Sequence, residues 1–420
     1  MAESEGMSSR GATRARTRKP RIGLALAGGG PLGGIYEVGA LLALDEALDG
    51  VDLSDVDIYV GVSAGAVVAS ALANGFTTTQ LFELLVDETG GQPRMDPEIF
   101  FRPAVREYTS RLVATPWLVV SELIEAARNP LDVNVLRSVA RLNQSVPPGL
   151  FDNTPVHEYL RDLYSGEGHS NDFRTLKREL YVVAVELDTG ETVCFGQPGQ
   201  DDVPISKAVQ ASAALPGMYL PVDIDGHHYV DGALRKTLHA SVALERGAGL
   251  LFCINPLVSY DADLARSRGK GRHDKLAHGG LAVVMSQTFR TLIHSRMQVG
   301  MGKYAQEYPG QDVVLFEPDS DDPEMFFNNV FSFASRTRVC QHAYEMTRRE
   351  LRARRQELEP VLARHGVRLR GDVLEAEPGR VDRLLAAMKG HAGAARGRHA
   401  VLRELGGTLD ELESWLEERS

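Results

Sequence analysis

Apolar residues fall in short, glycine-bounded blocks through the first part of this chain and in longer, charge-spaced arrays toward its end. Ile22–Ala27 and Val56–Val60 are compact apolar runs, and each is followed closely by glycines. Runs of that length and punctuation predict strands buried on both faces of a parallel sheet. The segments after them, Tyr36–Leu48 and Ala66–Ala73, have helical composition. The chain therefore opens strand, turn, helix, strand, turn, helix, the alternation of a layered α/β fold. Leu180–Glu186 and Leu250–Ile254 predict further buried strands. Residues 211–233, ASAALPGMYLPVDIDGHHYVDGA, read as a helix end, a proline turn, a short strand, an Asp-Gly turn at Asp225-Gly226 and a second short strand.

Between the second helix and Leu180 lies a long insertion, residues 77–178, with largely helical patterning. Ile99-Phe100-Phe101 with Trp117, Leu118 and Val119 suits core packing first and a lid or acyl-chain groove second. Residues 259–275 are polar and glycine-bearing, a boundary loop. Past it the period becomes helical: Leu276–Tyr304, Phe333–Arg364, Val381–Lys389, Ala394–Leu405 and Leu409–Arg419 predict helices, with one strand, Asp312–Glu317, that joins the sheet. The aromatic patch Met325-Phe326-Phe327 with Val330, Phe331 and Phe333 is read as packing. Three regions follow: a basic tail at 1–20, an α/β domain at 21–258 and a mostly helical region at 259–420.

Candidate chemistry concentrates at the strand ends. In GVSAG, Ser63 stands between Gly61 and Gly65, with a strand before it and a small-residue helix after it. A tight strand-to-helix turn lifts a serine hydroxyl clear of the backbone, and the helix start aims free N–H groups at the reacting centre. The competing reading, a serine N-cap on a buried helix, explains the serine but not both glycines. GGGPLGG, residues 28–34, closes the first strand, and there the backbone amides are the functional groups, a concavity for an oxyanion or a phosphate. Gly28, Gly30 and Gly33 also satisfy the GxGxxG spacing, which raises a dinucleotide-binding oxidoreductase with Asp52, Asp55 or Asp57 as the ribose acid. That reading leaves GVSAG and YVDGA unexplained, and no GKS or GKT follows for a P-loop. In YVDGA, Asp231 ends a strand before Gly232, where a carboxylate can take the serine proton if it comes within hydrogen-bond reach. Its plainer reading is an ordinary Asp-Gly turn. Of twelve histidines, His227, His228 and His239 lie near Asp231, so a Ser-His-Asp triad is an alternative. His227 and His228 fall on opposite faces of one strand, which suits packing or solvent better than bridging.

Taken together, GGGPLGG, GVSAG, ASAALPGMYLPV and DGA, in that order and spacing, resemble the patatin-like phospholipase family over residues 22 to roughly 245. The resemblance implies a three-layer α/β/α hydrolase sheet and a Ser-Asp dyad, Ser63 as nucleophile and Asp231 as proton acceptor. It implies an oxyanion hole from Gly28, Gly29, Gly30 and Gly33, with Gly61, Gly65 and Gly232 as motif glycines. It also implies hydrolysis of lipid acyl esters, phospholipids or lysophospholipids foremost. Two departures stand out: Leu32 occupies a position that is often basic in the family, and Leu234–His239 replaces an asparagine-proline segment after DGA.

Composition narrows the field. The chain has 420 residues, 43% hydrophobic and 25% charged, enough for one large core and an extension. A net charge of -11 argues against general nucleic-acid binding. Cys194, Cys253 and Cys340 are too scattered for a disulfide framework or a zinc site and read as buried thiols of a reducing compartment, so neither a metal nor a cofactor is expected. Arg10, Arg14, Arg16, Arg18 and Lys19 make the first residues a disordered basic tail without a signal-peptide core, and no run has transmembrane length. The expectation is a cytoplasmic serine acyl hydrolase that meets its lipid ester at a membrane or micelle surface. A catalytically weak lipid-binding or regulatory protein on the same fold is the alternative.

Overall fold

The computed structural model describes residues 20–87, 95, 97–105, 108, 148–270, 275–327, 335–376 and 379–392. Among these residues eight strands build the main sheet: β1 Arg21–Leu26, β2 Ile58–Val62, β3 Glu179–Glu186, β4 Thr192–Phe195, β5 Val222–Ile224, β6 His227–Asp231, β7 Ala248–Ile254 and β8 Asp312–Phe316. Their order is β8-β7-β1-β2-β3-β6-β5, with β4 also paired to β3. From β8 to β3 every pairing is parallel, whereas β4, β5 and β6 pair antiparallel.

Alternation along the strands builds two cores. On β1, Leu24 and Leu26 point to one face and Ala25 to the other, as the period of two requires. The first face is covered by α1 (Gly30–Ala47) and α2 (Ala64–Ala73), which bury Leu41, Val68 and Leu72, and by α3 (Ile205–Ser212). The second face packs Leu238, Ala240 and Leu244 on Val60, Val183 and Leu251, and it is flanked by Tyr304 of α4 (Gly280–Glu307). Helices on both faces of a mixed sheet make the three-layer arrangement. A further helix, α5 (Arg336–Ala353), lays Val339, Ala343 and Tyr344 onto the outer side of α1, so α1 is apolar almost all round because both sides are covered.

Several boundaries differ from the sequence reading. The first helix begins at Gly30 rather than Tyr36, so the glycine-rich segment is itself the opening turn of α1. The stretch 259–275 includes a helix, Ala262–Ser267, capped by the Asp261 carboxylate. Leu276–Gly279 is a 3-10 turn ahead of α4, and the Arg-rich helix starts at Arg336 and breaks at Arg354 before resuming at Arg355–Arg364. Met325 and Phe326 are buried, the latter stacked on Tyr260 at 4.7 Å. The tail at 1–19, Trp117–Val119, Val330, Phe331, Phe333 and the helices expected at 394–405 and 409–419 lie outside the described residues.

Candidate active site

Both glycine-bearing turns sit at the carboxyl ends of adjacent parallel strands, where open α/β sheets form their crevices. Ser63 follows β2 directly and caps α2 with φ 55° and ψ -123°, a left-handed conformation that a serine adopts only when its surroundings hold it there. Its amide donates to Ser212 Oγ at 2.9 Å, and Ser212 Oγ donates to the Val183 carbonyl at 2.6 Å. The turn is thus tied to β3 through α3. Gly65 allows the close approach that tightens it: a Cβ there would lie 2.5 Å from the Leu26 carbonyl oxygen. Ser63 is 6% exposed.

Asp231 reaches the same point from the antiparallel side. Val62 registers with Val183 and Asp231 with Ala184, so consecutive residues of β3 set the ends of the two segments that carry the serine and the aspartate. The Ser63 hydroxyl lies near the Asp231 carboxylate, close enough to lower its proton affinity, and the carboxylate accepts the Ala233 amide at 2.8 Å. Asp231 is 3% exposed, and burial raises its pKa to about 6 against the lowering effect of these two groups.

Facing this pair is the start of α1. Gly30 has φ 62°, which a side chain would resist, and Gly29 is the N-cap. At these positions the helix leaves its own amides unused. Gly28 packs against the serine, with a built Cβ only 3.1 Å from Ser63 Cβ. Gly33 behaves differently from the expectation: its amide donates to the Gly29 carbonyl at 3.1 Å as the first bond of the helix, which removes it from the set of oxyanion donors. Leu32 is buried in the core. Gly61 and Gly232 back the turn, the latter close to Val183 and Val62.

Ser63, Asp231, Gly28, Gly29 and Gly30 line one cavity of about 350 Å³. Its remaining walls are mostly apolar, from Val67, Val68, Met95, Phe100, Met218 and Phe289. A hydrocarbon chain fits such walls, and one hydroxyl, one carboxylate and a cluster of amides at its end suit attack on an ester carbonyl.

None of the three histidines bridges the pair. His227 faces Glu186 at 2.7 Å and His228 is exposed. His239 is buried with Nε2 at 3.3 Å from the Gly232 carbonyl, and burial lowers its pKa to about 4. Asp52, Asp55 and Asp57 all precede β2, at the opposite strand ends from the glycine turn; Asp57 accepts the Ile22 amide and Asp55 pairs with Arg178. The dinucleotide reading therefore lacks its acid at the turn. Among the described residues no three His, Cys, Asp or Glu side chains converge on a metal position, and the three cysteines are buried thiols.

Sequence reasoning missed three contributors. Ser212 lay within ASAALPGMYLPV but had no role assigned to it. Asn153, held by a reciprocal pair of bonds with Gln210 at 2.9 and 3.1 Å, lines the cavity from a segment with no motif. Arg290 of α4 also lines it, from beyond the expected domain boundary.

The sequence profile of the patatin-like phospholipases matches residues 24–244, and the chain belongs to that family. At the level of the family it is a lipid acyl hydrolase. Among solved structures it is similar to VipD from Legionella pneumophila, with 17% identity and a TM-score of 0.37 over 80% of this chain and 67% of that one. It is also similar to the type III effector ExoU, with 16% identity and a TM-score of 0.35 over 96% of this chain and 65% of that one. A complex of SpcU with ExoU from Pseudomonas aeruginosa matches at 15% identity and a TM-score of 0.26 over 70% of this chain and 59% of that one. The chain spans about two thirds of the length of the first two. No helix among the described residues is long and apolar enough to cross a membrane.

Proposed function

We propose that this chain hydrolyses carboxylic esters of lipids, phospholipids or lysophospholipids foremost, through a Ser63–Asp231 dyad. Ser63 Oγ attacks the ester carbonyl while its proton passes to Asp231. The amides of Gly29 and Gly30 at the start of α1 take the developing oxyanion. The alcohol leaves with the proton from Asp231, an acyl ester remains on Ser63, and water activated by Asp231 releases the fatty acid. The observation that carries this reading is the placement of Ser63 beside a buried Asp231 at the end of an apolar cavity. A carboxyl whose pKa is about 6 is a better base near neutral pH than an ordinary aspartate, the role that histidine fills in a triad.

The lipid is met at a membrane or micelle surface by a cytoplasmic protein. In support, Leu281, Met285, Leu292 and Val299 are exposed along one side of α4, and Phe289 of the same helix lines the cavity. The test is labelling by a fluorophosphonate and release of fatty acid from mixed phospholipid vesicles. Wild type is expected to label and to hydrolyse, and folded Ser63→Ala to do neither. A wild type that does neither leaves a lipid-binding or regulatory role in place of an autonomous enzyme.

A further inference from the structure

Arg290 is a guanidinium where an apolar cavity would not ordinarily hold one. It is 5% exposed, and apart from Asp231 it is the only charged side chain among the described residues that line the cavity. Two of its N–H groups donate to main-chain carbonyls, of Met325 at 3.0 Å and Val258 at 3.4 Å, and the Phe326 ring lies 5.4 Å away. Guanidinium carries five N–H groups, so these contacts occupy two donors and leave the charge itself uncompensated. Among the described residues no carboxylate pairs with it. Glu324, beside it in a small adjoining cavity, is ion-paired to Arg338. Burial alone pulls the Arg290 pKa down to about 10. An interior cation without a counter-ion is costly, and a bound anion would relieve that cost.

We propose that Arg290 is a specificity-determining residue that receives the phosphodiester of the lipid substrate. In a glycerophospholipid the phosphodiester is separated from the acyl ester by a few bonds of the glycerol, so an ester carbonyl at Ser63 brings the anion into the same cavity. The planar fork of arginine matches two phosphate oxygens, whereas a neutral acylglycerol offers it no charge. Arg290 thus selects the substrate class, and the tie to Val258 and Met325 presets the fork.

The assignment rests on the acyl-hydrolase reading above, and the test separates the two. In the full chain, the ratio of kcat/KM for phosphatidylglycerol to that for a neutral p-nitrophenyl ester should fall about tenfold or more in Arg290→Met and recover in part in Arg290→Lys. An unchanged ratio overturns the proposal, because a purely structural arginine would depress both substrates alike. A second arm needs no turnover. Ser63→Ala protein with Arg290 intact should bind lysophosphatidylglycerol about tenfold or more tighter than a monoacylglycerol of the same chain. Equal affinities overturn the proposal, as does tightest binding of the free fatty acid, which would assign the guanidinium to a product carboxylate. Discrimination in binding without any hydrolysis would uphold Arg290 while removing the dyad reading.

Discussion

Asp231 and Glu37 are both carboxyls shut away from water, and burial pushes the proton affinity of both above the ordinary carboxylate range, yet their surroundings are opposite. Asp231 accepts the Ala233 amide, has the Ser63 hydroxyl close by and opens onto a cavity. Glu37 sits inside α1, covered on all sides, with neither oxygen in a well-formed hydrogen bond; the Ala27 amide approaches it but is donated to the Ile254 carbonyl. Burial does the same thing to both groups. What separates a candidate base from an isolated buried acid is access for a substrate and a hydroxyl nearby, so a raised pKa alone is weak evidence of a site.

The sharpest test of that contrast is activity. Asp231→Asn should lower fatty acid release by about a thousandfold or more with the fold retained, since it removes the proton acceptor, while Glu37→Gln should change the rate by less than about threefold. Comparable losses in the two variants would break the comparison.

A smaller effect lies in pH. Only ionised Asp231 can accept the serine proton, so kcat/KM should climb about tenfold per unit below pH 6 and level off above it, and Glu37→Gln should keep that midpoint. A profile flat between roughly pH 5 and 7 would remove Asp231 from the role.

The smallest effect is on stability. Folding raises the proton affinity of Glu37, so the folded chain holds more protons than the unfolded one above the unfolded value of 4.5. Its contribution to stability is complete below that value and is lost as the pH rises toward the folded pKa. Glu37→Gln should therefore be more stable than wild type at pH 8, with the advantage vanishing near pH 4. Chemical denaturation at both pH values measures this. Asp231 titrates in the same direction between 3.8 and about 6, so it adds to the pH dependence that remains in the variant.

Much of the site was legible beforehand because its parts are local. A serine between two glycines after an apolar run, a glycine cluster after another and an aspartate at a strand end are each set by a few neighbouring residues. The start of α1 was misplaced because glycine lowers helix propensity. Packing against α2, α5 and Pro256 overrides that preference, and the helix runs back to Gly30. Gly33 was misjudged for the same reason, since an amide inside a helix is already spent. Glu37 carried no signal at all, because a single acid in an apolar helix looks like an exposed position until both faces are seen to be covered.

The sequence by itself determined the strand and helix alternation, the family and the residues at the turns, because backbone stiffness, side-chain period and glycine chemistry act over a few residues. Only the tertiary structure decided which groups meet. The Ser63 amide bonds to Ser212, Ser63 and Asp231 come to line one cavity, and Arg290 reaches it from a helix beyond the expected domain boundary. The raised pKa of Asp231 and the lowered one of Arg290 are likewise decided there, since both come from burial, and burial belongs to the assembled layers rather than to any stretch of chain.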